Sequence, residues 1–190
     1  MSQSEWTVES ATSILRRDPW IEVFEEHIRL PDGSRVDDFY TVKLPDFVVV
    51  APLTGNDELV VVTHYRRGVQ AMTQSLPSGF IDPGETAADA ARRELLEETG
   101  YSSDDWLELG SYVVDGNRGC GVEHVFLARG ARRVAEPSSK DLAPVTVGLV
   151  PLVEAREQVS RGEVRELASV SAMALALLKI NAEAEATPGV

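Results

Sequence analysis

Three glutamates crowd into Arg93-Glu94-Leu95-Leu96-Glu97-Glu98. On a helix, at about 100° per residue, Glu98 lies about 40° to one side of Glu94 and Glu97 about 60° to the other. The three carboxylates then share one narrow face. Ala87, Ala90 and Ala91 lie on the same side, a turn nearer the N-terminus, and leave space beside the acids; an apolar stripe continues through Leu95. Acids packed beside an apolar stripe repel one another and are costly to desolvate unless cations neutralise them. Hard divalent ions do this with oxygen ligands, and Mg²⁺ keeps its own waters while sharing other positions with phosphate oxygens. The plainer alternative is a solvated helix whose acids pair with Arg92 and Arg93, Arg93 and Glu97 being an i, i+4 pair.

A helix must be there to present these acids. The segment from Ala87 to Thr99 is almost all strong helix formers, opened by Thr86 with Asp89 three residues on and closed by Gly100. The stretch before it, Leu76-Pro77-Ser78-Gly79 and then Asp82-Pro83-Gly84, reads as extended chain and turn. Further upstream the chain reads as β: around Ile21 to Val23, a turn at Pro31-Asp32-Gly33, then Val36 to Lys43. The Val-rich runs Phe47 to Leu53 and Leu59 to Tyr65 flank Thr54-Gly55-Asn56-Asp57 and read as a hairpin of buried strands. Strand signals return at Leu107 to Val114, Val122 to Ala128 and Val145 to Leu152, before helices at about Val153 to Arg161 and Glu163 to Ile180. The fold class is α+β, a mixed sheet with helices. The expected division is an N-terminal β-hairpin arm (1–45), a main domain that carries the acidic helix (46–180) and a polar tail (181–190). A two-stranded ribbon is marginal alone, so the arm's apolar face must dock on its own domain or on a second subunit.

Composition narrows the partners. With 18 Lys+Arg against 31 Asp+Glu the net charge is -13, which argues against a general nucleic-acid binder. Residues Met1 to Arg17 lack the apolar core of a signal peptide, and no apolar run reads as long enough to span a bilayer, so no membrane partner is expected. The single cysteine, Cys120, fits a reducing, cytoplasmic compartment. It lies in the Gly-rich stretch Asp115 to Gly121 without a base partner and reads as a free thiol. His27, His64 and His124 have no zinc-like spacing, and Trp6 and Trp106 read as packing residues.

Gly79, five residues, Glu85, seven residues, then Arg93-Glu94-Leu95-Leu96-Glu97-Glu98-Thr99-Gly100-Tyr101 meets every fixed position of the Nudix box. Only the last, usually aliphatic, departs, as Tyr101. With Leu76-Pro77-Ser78-Gly79 ahead of it and a late strand followed by two helices, the chain resembles the ADP-ribose pyrophosphatase branch of Nudix hydrolases. The resemblance implies a Nudix fold with an N-terminal hairpin extension, a homodimer, and Mg²⁺- or Mn²⁺-dependent cleavage of the diphosphate bond of ADP-ribose or a related nucleotide sugar. It implies Glu94 and Glu98 as the main metal ligands, assisted by Glu97, Glu85 and the Ser78 carbonyl, with Arg93 orienting the glutamates. It also implies Arg66 on the phosphates and Trp20 or Phe39 stacking on the base. For a general base the late loop offers Glu136 and Asp141. Such enzymes usually carry a proline about fifteen residues after the box; here Asp115-Gly116-Asn117 stands instead, which implies a differently shaped sugar pocket. Two alternatives stay open: hydrolysis of nucleoside triphosphates or dinucleoside polyphosphates, and a non-catalytic binding module of the same fold.

Overall fold

The structure is a computed structural model that describes residues 5–139 and 145–186. Two compact units divide the chain, the first formed by Met1–Asp46 with Tyr112–Val122, the second by Phe47–Ser111 with Glu123–Val190.

In the first unit, β1 (Thr7–Arg17), β2 (Ile21–Arg29) and β3 (Arg35–Lys43) form an antiparallel meander. The β2–β3 turn lies where Pro31-Asp32-Gly33 places it: Gly33 N donates to Leu30 O (2.9 Å) and Leu30 N to Ser34 O (2.9 Å). β1 is an addition that sequence pattern did not announce. Every residue of Thr-Val-Glu-Ser-Ala-Thr-Ser-Ile-Leu-Arg-Arg is exposed, so no alternation marks it as a strand. The Asp115–Gly121 stretch returns beside β3, with Val42 N donating to Arg118 O (2.8 Å) and Val122 N to Asp46 Oδ1 (2.9 Å).

The second unit contains β4 (Phe47–Thr54), β5 (Glu58–Arg66), β6 (Ala71–Ser75), β7 (Ser78–Phe80), α1 (Ala87–Thr99) and β8 (Tyr101–Ser102). Further along, β9 (Asp105–Asp115) and β10 (Gly119–Arg133) each cross the division, and β11 (Thr146–Pro151), α2 (Leu152–Ser160) and α3 (Leu167–Ala186) close the unit. β4 lies between β10, parallel to it from Phe47 to Thr54, and the short antiparallel β7. The expected hairpin of β4 with β5 exists for a single pair, Leu53↔Leu59, beyond which β5 pairs with β6 and β11 instead. Two strands buried on both faces each need two partners, and each finds them elsewhere.

Alternation along these strands sorts the core into two layers. Val48, Val50, Phe126 and Ala128 meet Ala90, Ala91 and Leu95 of α1 on one face. Val49, Ala51, Val125 and Leu127 meet Ala155 of α2 and Ala172, Met173 and Ala176 of α3 on the other. The small alanines let α1 lie close to the sheet, which fixes how its acid-bearing face is aimed. Trp106 packs edge-on against Phe126 (6.4 Å between rings), the packing role expected of it.

α3 corrects two expectations. It runs to Ala186, so Asn181–Ala186 are helical where a polar tail was expected, and residues 187–190 lie outside the described residues. Its twenty residues are also, by length and composition alone, enough to cross a membrane. In the structure Ser169, Ala172, Met173, Ala176 and Leu177 form a buried stripe of spacing i, i+3, i+4, i+7, i+8, the pattern of a helix packed on a core.

Candidate active site

α1 begins where Thr86 Oγ1 accepts from Asp89 N (3.1 Å) and ends at Gly100, whose φ of 72° is left-handed and whose N–H donates to Leu96 O. Between these caps Arg93 stands at the centre of the acids. Its Nε and Nη2 fork onto Glu85 (2.9 and 2.8 Å), Nη2 also donates to Phe80 O (2.9 Å), and Nη1 donates to Glu94 Oε1 (2.5 Å). Glu97 Oε2 is 3.6 Å from the same Nη1. Glu98, only 4% exposed, accepts from Ser78 N through Oε2 (3.0 Å). A charge-assisted fork of this kind is geometrically specific. It holds the Glu85 carboxyl below its ordinary range, and the same pairing, with Glu94 behind it, raises Arg93 well above its own.

The strand–loop ahead of the helix meets it at Gly79. A Cβ built there would overlap the Glu94 carboxylate, so the residue type is dictated by the close approach of β7 to α1. A pocket of about 550 Å³ opens at this junction, walled by Arg66, Ser78, Gly79, Arg93, Glu94 and Glu166.

The structure thus gathers Ser78, Glu85, Arg93, Glu94, Glu97, Glu98 and Arg66 in one region of the second unit. Other candidates fall elsewhere. Trp20, 60% exposed, and Phe39 belong to the first unit, and Phe39 is in edge contact with Trp6 (5.6 Å). Trp6 packs on Phe39, as expected of a packing residue, while remaining 54% exposed. The 115–121 stretch helps line a cavity of about 490 Å³ within the first unit, beside Phe24, Thr41 and Val42. Glu136 does not line the acid pocket: its side chain is 88% exposed and is drawn to Arg133 Nη2 (2.6 Å). Asp141 lies outside the described residues.

Two acids that sequence reasoning passed over do matter. Glu166 walls the pocket. It opens α3, with Val170 N donating to its carbonyl (3.0 Å), and an acid in that place reads simply as a complement to the helix dipole. Nothing local shows that it folds against Thr73, 93 residues away. Glu123 is buried on β10, opposite the pocket residue Phe47 in register. The hydroxyl of Ser171 lies 3.0 Å from its Oε1 and 2.8 Å from Ala168 O, so one proton serves two acceptors. Burial pushes the Glu123 carboxyl up, against the opposing bond from Ser171. A folded-state value above the ordinary 4.5 gives a stability contribution that is full below 4.5 and is lost as pH rises through the raised value. Glu123→Gln is therefore expected to melt higher than the parent at pH 8 and to flatten that decline. Melting curves from pH 4 to 8 check this, and an equal loss of stability at both ends counts against it.

Hard carboxylate oxygens and guanidinium groups converging on one pocket suit a polyanion and the divalent cations that accompany it. Residues 43–186 match the NUDIX domain, and residues 6–42 match the nucleoside diphosphate sugar hydrolase N-terminal domain. The chain belongs to the Nudix family and is a Nudix hydrolase. Among its relatives is an ADP-ribose pyrophosphatase of Mycobacterium tuberculosis, 32% identical over 143 residues, which covers 73% of this chain and 68% of that one. An ADP-ribose pyrophosphatase of Bacillus subtilis is 28% identical over 144 residues, covering 72% and 77%. A crystal structure of an ADP compounds hydrolase superposes with a TM-score of 0.83 over 96% of this chain and 98% of that one, at 20% identity, which establishes the shared fold.

Proposed function

We propose that this chain hydrolyses the diphosphate bond of ADP-ribose or a related nucleoside diphosphate sugar, with Mg²⁺ or Mn²⁺, giving a nucleoside monophosphate and a sugar phosphate. The observation that carries the reading is the pocket in which Arg66, Arg93 and Glu94 meet the Gly79 junction. The match of residues 6–42 to a nucleoside diphosphate sugar hydrolase N-terminal domain, and the two ADP-ribose pyrophosphatases among its relatives, support the substrate class.

The donor set fits a hard divalent ion: Glu94, Glu97 and Glu98 of one helix, with Glu85 and the Ser78 carbonyl beside them. Among the described residues no three acid, histidine or cysteine side chains are already gathered around one point. Glu94 is turned to Arg93, and Glu98 to the Ser78 amide. Arg93, anchored on Glu85 and the Phe80 carbonyl as well as on Glu94, would hold these carboxylates in place beside a bound ion. When bound, the metal neutralises phosphoryl charge and lowers the pKa of an attacking water. The chain supplies the rest. Arg66 presents donors to the phosphates, Arg93 fixes the carboxylates, and Gly79 leaves the room beside β7 that the Glu94 carboxylate takes. Water's oxygen bonds to one phosphorus as the bond from that phosphorus to the bridging oxygen breaks; the bridging oxygen leaves with the other phosphate, and the water's proton passes to solvent.

Product analysis on nucleotide sugars, triphosphates and dinucleotides with Mg²⁺ tests the assignment. ADP-ribose is expected to give AMP and ribose 5-phosphate with the highest kcat/KM. A deoxynucleoside triphosphate that outranks every nucleotide sugar overturns it.

The proposal includes a cytoplasmic homodimer acting on a small molecule, with no nucleic-acid or membrane partner. The net charge of -13 and the single cysteine support its setting. The dimer rests on β1, a sheet edge that exposes Val8 and Ile14, in a unit where Trp6 and Trp20 are exposed as well. Such an edge is a template for pairing unless covered. Sedimentation is expected to show a dimer at micromolar concentration and a monomer for the Val8→Lys, Ile14→Lys double variant. A monomeric parent chain refutes the dimer and leaves the hydrolase assignment standing.

A further inference from the structure

Arg66 ends β5 and Thr73 lies on β6, paired across from His64. Residues two apart on a strand share a face, so Arg66 and Thr73 project from the same side of this hairpin. Glu166, at the start of α3, reaches that side. Its Oε1 accepts from Thr73 Oγ1 (2.5 Å), and its Oε2 lies 2.9 Å from Arg66 Nε. The Arg66 Nε is buried, yet its N–H is not aimed at the carboxylate and makes no hydrogen bond. The other end of the guanidinium faces the pocket, with Nη2 3.5 Å from Ser78 Oγ. The carboxylate is thus fixed by Thr73, close enough to hold Arg66 by charge, but not yet in hydrogen-bonding alignment with it.

We infer that Glu166 is a positioning residue for Arg66, an inference that rests on the proposed diphosphate substrate. A diphosphate in the pocket draws the Nη nitrogens toward its oxygens and turns the plane of the guanidinium. That turn brings Nε–H onto Glu166 Oε2, completing a charge-assisted bond between two groups already 2.9 Å apart. Thr73 matters because a carboxylate free to swing would follow Arg66 and give no fixed reference. An arginine is required at the other end, since only the guanidinium fork offers Nε to one partner and Nη to another at once.

The test is steady-state kinetics on ADP-ribose with the full chain. Glu166→Gln keeps the shape and the Thr73 contact but removes the charge. It is expected to raise KM about tenfold, with kcat falling less than KM rises, the size of one lost charge-assisted hydrogen bond. Arg66→Lys removes the fork, and adding Glu166→Gln to it is expected to change KM less than twofold, because the brace has nothing left to position. Equal losses in both backgrounds overturn the inference. So does a fall in kcat of orders of magnitude with loss of a limb of the pH–rate profile, which places Glu166 in the chemical step. A lowered KM overturns it as well, by showing that Glu166 only competes with substrate for Arg66. A fall in melting temperature that accounts for the kinetic change marks a merely structural role and also overturns it. If no nucleotide sugar is turned over, the functional reading fails, but calorimetry with ADP and adenosine still decides this point. Glu166→Gln then weakens ADP and leaves adenosine unchanged if the brace exists, and weakens both or neither if it does not.

Discussion

Replacing Glu98 by glutamine is expected to lower turnover by about two to four orders of magnitude while leaving the fold in place. Glu98 is 4% exposed, and one of its oxygens accepts the Ser78 amide hydrogen. Glutamine keeps that acceptor and nearly the same volume, so packing beneath α1 is preserved. What it loses is the negative charge, which is what a hard cation requires of this site. Turnover on ADP-ribose across a Mg²⁺ titration, with circular dichroism and melting as controls, checks it. A variant that keeps near-parental turnover sinks the assignment of Glu98 as a metal ligand.

The second large effect is expected from the smallest change, Gly79→Ala. The added methyl would occupy the space of the Glu94 carboxylate. Either Glu94 swings away and gives up its bond to Arg93 Nη1, or β7 shifts and strains the Val48↔Gly79 pairing with β4. Both disturb the pocket wall by about an ångström, a displacement that can cost a hundredfold in rate. The expected result is at least about a hundredfold loss of kcat/KM. Gly55→Ala, at a turn where an added Cβ meets nothing, serves as the control and is expected to retain full rate. If Gly79→Ala and Gly55→Ala behave alike, the close approach has no bearing on catalysis.

What could be read beforehand and what could not separate along physical lines. α1 was legible end to end because its signals are local: Thr86 and Gly100 cap it, and strong helix formers fill the turns between them. The Nudix box was legible for the same reason, since strand, loop and helix follow one another in sequence. The buried valine runs were recognised as strands, but not their partners. Pairing β5 with β11 joins Val62 to Val147, a contact that no local pattern encodes. β1 was missed because a strand with both faces exposed has no hydrophobic period. Glu166 was missed because its meaning comes from Thr73 and Arg66, 93 and 100 residues earlier in the chain, whereas Glu136, nearer the box in sequence, turns to Arg133.

The composition of the first unit has an evolutionary consequence. It is assembled from Met1–Asp46 and Tyr112–Val122, two segments that lie on either side of the helix with the acids in the chain. Its N-terminal part therefore cannot be exchanged between relatives by a single crossover and remain whole. A chimera that imports 1–46 from a relative but keeps the native 112–122 retains the backbone bond from residue 42 to the Arg118 carbonyl, but sets a foreign side chain at position 46 against the Val122 amide that Asp46 now serves. Recombination would have to move both segments together. Lineages should thus show substitutions in the 115–121 stretch tracking those around residues 42–46, more closely than either tracks the helix encoded between them.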